Sequence, residues 1–191
     1  MGSLAGIDQF SFFVMELHER SLTHHPVALF QWSLDELALA VDADWEGYSH
    51  WVDRTSGQIV PDPPYPTPGG WLDRFAWRID RAAVEALSTR LRGETAFLCG
   101  SAENEALVWS LFDHMICLVV DNETLRDRLE TRTTNAFGKH PEELEAALGW
   151  NHEVESTYRR LGATIIDGRR PPQDVADAIL AASARIVAQR A

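Results

Sequence analysis

Three short apolar runs, separated by stretches of helical spacing, constrain the fold of this chain more than any other feature. Thr95 to Cys99, His114 to Val120 and Ala163 to Asp167 each indicate a buried strand, because near-continuous apolar runs are typical of parallel sheets. Leu39 to Asp44 indicates a further strand that ends in acidic residues. Strands that alternate with helices predict an α/β fold, with helices on both faces of a parallel sheet.

Helical spacing predicts the elements between these runs. The predicted helices are Asp80 to Leu91, Asn122 to Arg132, Pro141 to about Arg160, and Gln173 to about Gln189. Proline suits the first position of a helix, which supports the start at Pro141. Residues 53–71 are rich in proline and glycine, so they predict a long loop. With no internal repeat or linker, one α/β domain is expected.

Composition limits the partners of this domain. Its 191 residues are enough for a single hydrophobic core. The formal charge of −12 argues against a nucleic-acid polymer as partner, because phosphate backbones bind basic surfaces. A few arginines can still form a local anion site, so a small molecule or nucleotide is the expected ligand. The oligomeric state is left open.

The sequence also indicates a compartment. Cys99 and Cys117 are the only cysteines, and both sit in apolar runs, which predicts buried free thiols. No stretch of about 18 apolar residues suggests a membrane span. No basic segment followed by an apolar leader and a cleavage site is seen at the N-terminus. A cytoplasmic protein is therefore expected.

Two carboxylates follow the first predicted strand. Ligands of open parallel sheets bind outside the carboxyl ends of the strands, which is where Asp42 and Asp44 stand. One could hold Mg²⁺ and the other could orient or deprotonate an acceptor hydroxyl. Tryptophans flank the proline-rich loop at positions 45, 51, 71 and 77, and Trp45 and Trp51 could line an acceptor pocket, although lid and core packing would explain them equally. The alternative is a pair of solvated turn aspartates, which the local pattern supports equally.

A basic stretch follows the central strand. Arg128 and Arg132 are four residues apart, so one helix face could direct both at a single anion. Arg126 and Lys139 add to the positive charge, and the segment between Arg132 and Lys139 could cover bound phosphates. The alternative is a solvated helix whose arginines pair with neighbouring acids.

Two further loops follow strands. One contains Gly100 and Asn104, and Gly100 would allow close approach of backbone or ligand. The other could flank a nucleotide base, and it contains Asp167, Arg169, Arg170 and Pro171. Tight turns that only connect elements are the alternative for both loops.

Together these motifs resemble a group of small bacterial P-loop kinase-like proteins, described as AAA-family ATPases or shikimate-kinase-like proteins. The likeness follows FLCGSAEN, LFDHMICLVVDNETLRDRLETRTTNAFGKHPEEL and ATIIDGRRP, and it spans roughly Ala40 to Leu180. Its most specific part, Arg132-Thr-Thr-Asn-Ala-Phe-Gly-Lys139, matches the lid of that family. The resemblance implies a P-loop NTPase-like fold of the nucleotide or shikimate kinase type, with ATP-dependent phosphoryl transfer to a small hydroxylated acceptor.

The resemblance also implies roles for individual residues. Asp42 and Asp44 would face Mg²⁺ and the acceptor, with Asp42 as the metal ligand. Arg128 and Arg132 would neutralise the transferring phosphate. The implied cofactors are ATP and Mg²⁺. The remaining implied positions are Lys139, Asp167, Arg169, Arg170 and Pro171 on the nucleotide side, and Trp45, Trp51, Gly100 and Asn104 on the acceptor side.

One part of the family pattern is missing. A Gly-x-x-x-x-Gly-Lys-Ser/Thr loop should precede Leu34, yet residues 1–33 contain none, and Lys139 is the only lysine. Residues 1–33 are therefore taken as an atypical segment in place of the P-loop, and residues 34–191 as the kinase-like domain. Weak or absent ATP turnover is expected. The alternative is a non-catalytic binding or regulatory protein that recognises a phosphorylated small ligand.

Overall fold

The computed structural model describes residues 39–64, 67–91, 96–132 and 137–190, with side chains described as far as residue 184. Helices and strands alternate along these ranges. The strands are β1 (Leu39–Asp42), β2 (Ser49–Asp53), β3 (Phe75–Ile79), β4 (Ala96–Cys99), β5 (Ile116–Val119) and β6 (Thr164–Asp167). The α-helices are α1 (Trp71–Arg74), α2 (Arg81–Arg90), α3 (Asn122–Thr131), α4 (Pro141–Arg160) and α5 (Pro172–Arg190).

The strands pair two by two. β1 lies parallel to β4, β5 lies parallel to β6, and β2 lies antiparallel to β3. Among the described residues no hydrogen-bonded ladder joins one pair to another. The sequence predicted parallel strands, and both parallel pairs confirm that direction. The arrangement is mixed α/β, with an antiparallel hairpin beside the parallel strands.

Helices cover both faces of the parallel pairs. On one face α5 packs against all four parallel strands in a single apolar cluster. That cluster contains Ala40, Phe97, Cys99, Ile116, Ile166, Val175 and Ile179. On the other face α2 covers β1 and β4 through Val84 and Leu87. There α4 covers β5 through Val154 and Tyr158.

Local sequence explains where the helices begin. The Asp80 carboxylate accepts hydrogen bonds from the N–H groups of Ala82 and Ala83, and so caps α2. Asp121 caps α3 in the same way by accepting from the N–H of Thr124. α4 begins with Pro141, whose missing N–H costs nothing at a helix start. The predicted helix boundaries agree with the structure to within a residue or two.

The hairpin of β2 and β3 is the main addition to the sequence prediction. Residues 53–71 are rich in proline and glycine, and this pattern of a loop hid the two short strands that flank it, one before and one after. Residues 49–53 alternate between buried and half-buried, which is the period of a strand with one face covered. Trp51 faces Trp77 across the hairpin, so a pair of indoles stabilises it.

Several expectations concern other parts of the chain. The proposed boundary between residues 1–33 and residues 34–191 lies outside the described residues. Cys99 and Cys117 are free and buried, as predicted. Along the described ranges, no helix combines the length and apolar character needed to cross a membrane.

Candidate functional site

The carboxyl ends of β1 and β4 bring two loops into close contact. Asp42 lies opposite Cys99 in the ladder, and the N–H of Ala43 donates to the Cys99 carbonyl at 2.8 Å. Gly100 follows with a φ of 153°. A Cβ there would lie 2.8 Å from the Cβ of Ala43 and 3.4 Å from an oxygen of Asp44. Gly100 therefore permits the close approach that the sequence suggested, with the acidic loop after β1 as its neighbour.

Asp42 organises that loop, which we call the acidic turn (residues 42–46). Its Oδ1 accepts from the N–H of Asp44 at 3.0 Å and from the N–H of Trp45 at 3.2 Å. The N–H of Asp42 donates to Glu46 Oε1 at 2.9 Å. Burial raises the pKa of Glu46, and the Asp42 charge adds to that rise. One oxygen of Asp42 thus shapes the turn.

Asp44 is the chemically distinctive member of the acidic turn. Its Oδ1 accepts a hydrogen bond of 2.9 Å from Trp77 Nε1. Desolvation raises the pKa of Asp44 to about 7; the hydrogen bond from Trp77 opposes this rise, the Asp42 charge adds to it and the Arg132 charge opposes it. The residue is exposed on one side. A carboxyl that titrates near neutral pH and stays reachable is a candidate general base.

Arg132 faces the acidic turn from the segment that follows α3. Its Nη2 donates to the Phe137 carbonyl at 2.7 Å. Burial lowers the pKa of Arg132, while the charges of Asp44 and Glu143 act in the opposite direction. The Arg132 Nε is buried and has no hydrogen-bond partner among the described residues. One guanidinium therefore lies within electrostatic range of two carboxylates.

The other predicted cations do not converge on that point. Arg128 Nη2 donates to the Gly168 carbonyl at 2.7 Å, and Lys139 Nζ donates to the Glu130 carbonyl at 2.6 Å. Arg132 lies beyond the end of α3, in extended conformation with ψ 145°. The spacing of four residues therefore does not place Arg128 and Arg132 on one helix face as expected.

The predicted nucleotide-side loop is held by its own ion pairs. Arg169 contacts both oxygens of Asp167 at 2.9 Å and reaches Asp121 at 3.2 Å. The Arg169 hydrogen bonds lower the pKa of Asp167 to about 2. Arg170 lies 3.8 Å from Asp174, and the Pro171 carbonyl accepts from the N–H of Val175 at 3.1 Å. These contacts fix the loop between the starts of α3 and α5.

A cavity of about 600 Å³ lies between the β2–β3 hairpin and α4. Its walls are mainly aromatic. The Trp51 ring lies edge-on to Trp71 and Trp77, with centroid distances of 5.9 and 5.4 Å, and Trp71 is 4.2 Å from Phe75. Trp150 of α4 contributes to the opposite wall. We call this cavity the aromatic pocket.

The polar lining of the aromatic pocket is mostly acidic. Its ionisable residues are Arg54, Asp73, Glu103, His140, Glu142 and Glu143. Arg54 forms an ion pair of 2.5 Å with Glu103, and Arg78 reaches the same carboxylate at 3.2 Å. Glu143 is buried and accepts from the N–H of Gly138 at 2.9 Å. Trp77 both lines this pocket and donates to Asp44, so pocket and acidic turn are contiguous.

Of the predicted acceptor-side residues, some line the aromatic pocket and others only hold the backbone in place. Trp51 lines the pocket, whereas Trp45 is 60% exposed on the acidic turn and does not line it. Asn104 accepts from the Ile79 N–H at 2.8 Å and donates to the Ile79 carbonyl at 3.0 Å. Both polar atoms of Asn104 thus bind β3 backbone, which makes it a structural residue.

Sequence reasoning missed the α4 side of the pocket. Glu142, Ala146 and Trp150 recur every four residues, so a helix places them on one face. The four-residue spacing of Glu142, Ala146 and Trp150 is the sequence signal for the α4 wall of the pocket.

Fold and site together define a mixed α/β protein with an acidic turn and an adjoining aromatic pocket. A scan against protein-family models, a search of curated proteins and a search of solved structures found no match to this chain.

Proposed function

We propose that this chain is a degenerate small-molecule kinase-like protein, and that the acidic turn and the aromatic pocket form its acceptor side. The observation that carries the proposal is Asp44. Its pKa of about 7, its hydrogen bond to Trp77 and the nearby Arg132 charge combine a base with a countercharge. Phosphoryl transfer needs positioning and charge neutralisation more than covalent chemistry, which suits such a site.

Asp44 and Arg132 have separate roles in this proposal. Asp44 in its carboxylate form accepts the proton of an acceptor hydroxyl as that oxygen bonds to the terminal phosphorus of ATP, and the bond from this phosphorus to ADP breaks with ADP as the leaving group. Arg132 offsets negative charge that develops on the transferring group. The rings of Trp51 and Trp77 cover the acceptor and limit the access of water to it.

The carboxylates of the acidic turn fit a loosely held magnesium ion. Asp42 would supply the oxygen ligand, and one of its oxygens is already used by backbone N–H groups, whereas Asp44 would act as the base. Within the described ranges no cluster of three or more His, Cys, Asp or Glu side chains could hold a metal. Mg²⁺ is commonly bound by one or two carboxylates together with water and phosphate oxygens, and this arrangement offers that set. Its chemistry there would be charge neutralisation on phosphate.

The nucleotide side supports only weak ATP turnover. The sequence has no Gly-x-x-x-x-Gly-Lys-Ser/Thr loop. Its one lysine, Lys139, donates to the Glu130 carbonyl at 2.6 Å. Arg169 and Arg170 would flank the base, although both have carboxylate partners in the loop. Without a lysine and an amide nest on the phosphates, affinity for ATP and its rate of transfer both fall.

Calorimetric titration with Mg-ATP and an ADP-release assay test this proposal. We expect a Kd of roughly millimolar or weaker and a slow release of ADP that Asp44→Asn abolishes. Asp62→Asn is the matched control, because Asp62 is exposed and does not line the aromatic pocket. Micromolar affinity with sustained hydrolysis would contradict the weakened donor side. ADP release that survives Asp44→Asn would contradict the role of Asp44.

One observation favours a second candidate, non-catalytic binding of a phosphorylated small ligand. The buried Arg132 Nε lacks a partner among the described residues, so it is a donor that an oxyanion could satisfy. In that case inorganic phosphate binds without any ADP release, and Arg132→Ala weakens its binding. Arg128→Ala has a smaller effect, because Arg128 bonds the Gly168 carbonyl.

A further inference from the structure

The aromatic pocket has a chemical preference that follows from its lining. We infer that it binds a hydroxylated organic amine in its cationic form, of the amino-sugar type. The inference rests on the proposed function only in treating this amine as the phosphate acceptor. Binding itself requires neither ATP nor turnover. Four lines of observation support it: charge, ring faces, an unmatched donor and the position of the pocket.

The charge of the lining favours a cation. Glu103 is neutralised by Arg54 and Arg78, and Glu143 by the Gly138 N–H and the nearby Arg132 charge. Asp73 and Glu142 also line the pocket, and neither belongs to an ion pair among the described residues. Both side chains are solvent-exposed, so they add negative charge to the pocket without a cationic partner. An anionic ligand would be repelled there, whereas an ammonium group would be attracted.

The aromatic walls add a second attraction for a cation. Indole faces attract ammonium groups within about 6 Å through the quadrupole of the ring, and tryptophan does so most strongly. Four of the seven tryptophans of the chain line this pocket. One ring of the cluster already accepts a cation, because the Arg74 guanidinium carbon lies 4.9 Å from the Phe75 centroid.

One of the rings that line the aromatic pocket carries an unmatched hydrogen-bond donor. Trp71 Nε1 is buried and has no acceptor among the described residues. Buried indole N–H groups normally have a partner. A hydroxyl oxygen of a ligand would supply one, which favours a hydroxylated amine over a purely hydrocarbon cation.

Position and size fit an acceptor of this kind. Glu142 lies against the Gly69 turn, 3.5 Å from where a Gly69 Cβ would be, so the loop and α4 approach each other beside the pocket. Trp77 lines the pocket and donates to Asp44 at 2.9 Å. A volume of about 600 Å³ accommodates a ligand of two sugar rings. A hydroxyl at the Trp77 end would lie toward the candidate base.

Tryptophan fluorescence during titration tests the inference without nucleotide. The probes are neamine, a hydroxylated two-ring amino sugar, and its fully N-acetylated derivative, which keeps the rings and hydroxyls but loses the positive charges. We expect saturable quenching by neamine at an affinity at least about tenfold higher than that of the derivative. Raised salt should weaken neamine binding and leave the derivative unaffected.

Substitutions test whether neamine binds in the aromatic pocket. Glu142→Gln and Asp73→Asn should each weaken neamine binding by about threefold or more, with little effect on the derivative. Glu145→Gln on the same helix is the matched control, because Glu145 is exposed and does not line the pocket. It should leave both affinities unchanged.

The inference is overturned if both probes bind equally, if neither binds saturably, or if Glu142→Gln and Asp73→Asn leave neamine affinity unchanged. Failure of the proposed function looks different. Neamine would then bind as expected, while no ADP release depended on Asp44. Conversely, Asp44-dependent transfer to a neutral acceptor would support the kinase-like function and contradict the amine preference.

Discussion

Asp44 is where local geometry has the clearest consequence for stability. Its pKa rises from an ordinary 3.8 to about 7 on folding. Between those two values the unfolded chain has already lost the proton that the folded chain still holds. The free energy of unfolding therefore falls as pH rises through this window, by the linkage of proton binding to folding.

Asp44→Asn should remove that pH dependence. An amide oxygen can still accept from Trp77 Nε1, and it carries no charge to desolvate. Relative to wild type, the variant should gain stability as pH rises from about 4 to about 7, and the gain should level off above that range. Urea unfolding below, within and above the window measures it. A difference that is constant with pH would contradict the account.

Gly100 is a second residue where sequence and structure agree on a close approach. Gly100→Ala would place a Cβ 2.8 Å from that of Ala43, which forces the acidic turn to shift. Overpacking of this kind costs about 1–3 kcal/mol. Gly149→Ala is the contrasting control, because Gly149 lies within α4 and its Cβ would meet nothing within 4 Å. That change should stabilise the protein by about 0.5–1 kcal/mol. Thermal unfolding of the two variants tests whether Gly100→Ala lowers the stability and Gly149→Ala raises it.

Among elements, the loop after β4 is held to the hairpin partly by Asn104 and partly by the ion pairs of Glu103 with Arg54 and Arg78. Asn104 both accepts from and donates to Ile79 of β3. Asn104→Ala leaves these half-buried backbone groups without their partner, so we expect a loss of about 1–3 kcal/mol in the free energy of unfolding. Neamine affinity should change little, because Asn104 does not line the pocket. A large loss of affinity with unchanged stability would restore Asn104 as a binding residue.

The helices and strands differ in how far the sequence predicts them. Long periodic segments such as α4 and continuous apolar runs such as β5 were predictable, since burial sets their pattern directly. The hairpin was not, because two five-residue strands carry little signal next to a proline-rich loop. The sequence singles out Asp44 at a strand end and Trp51 beside the proline-rich loop, and the roles of both stay predictions. The hydrogen-bond partners of Lys139 and Arg169 could not be predicted, because the sequence does not show which carbonyl or carboxylate a cation will contact.

At the scale of the whole molecule, the two parallel pairs share one apolar cluster beneath α5. On the opposite face a polar contact links them. The buried Tyr158 hydroxyl of α4 donates to the Glu105 carboxylate, which follows β4 and also accepts from the Ala102 N–H at 3.3 Å. A buried hydrogen bond between side chains contributes to stability, and its loss leaves a buried carboxyl oxygen with one donor fewer.

Tyr158→Phe therefore tests how strongly the two halves are coupled. The ring still fills the same space, so the expected loss of about 1–3 kcal/mol comes from the hydrogen bond alone. Because α5 continues to bridge both pairs, unfolding should remain a single cooperative transition at a lower midpoint. Tryptophan fluorescence and circular dichroism should then give coincident urea curves. Separated curves would mean that the contact between Tyr158 and Glu105, rather than the shared α5 cluster, makes the two parallel pairs unfold as one unit.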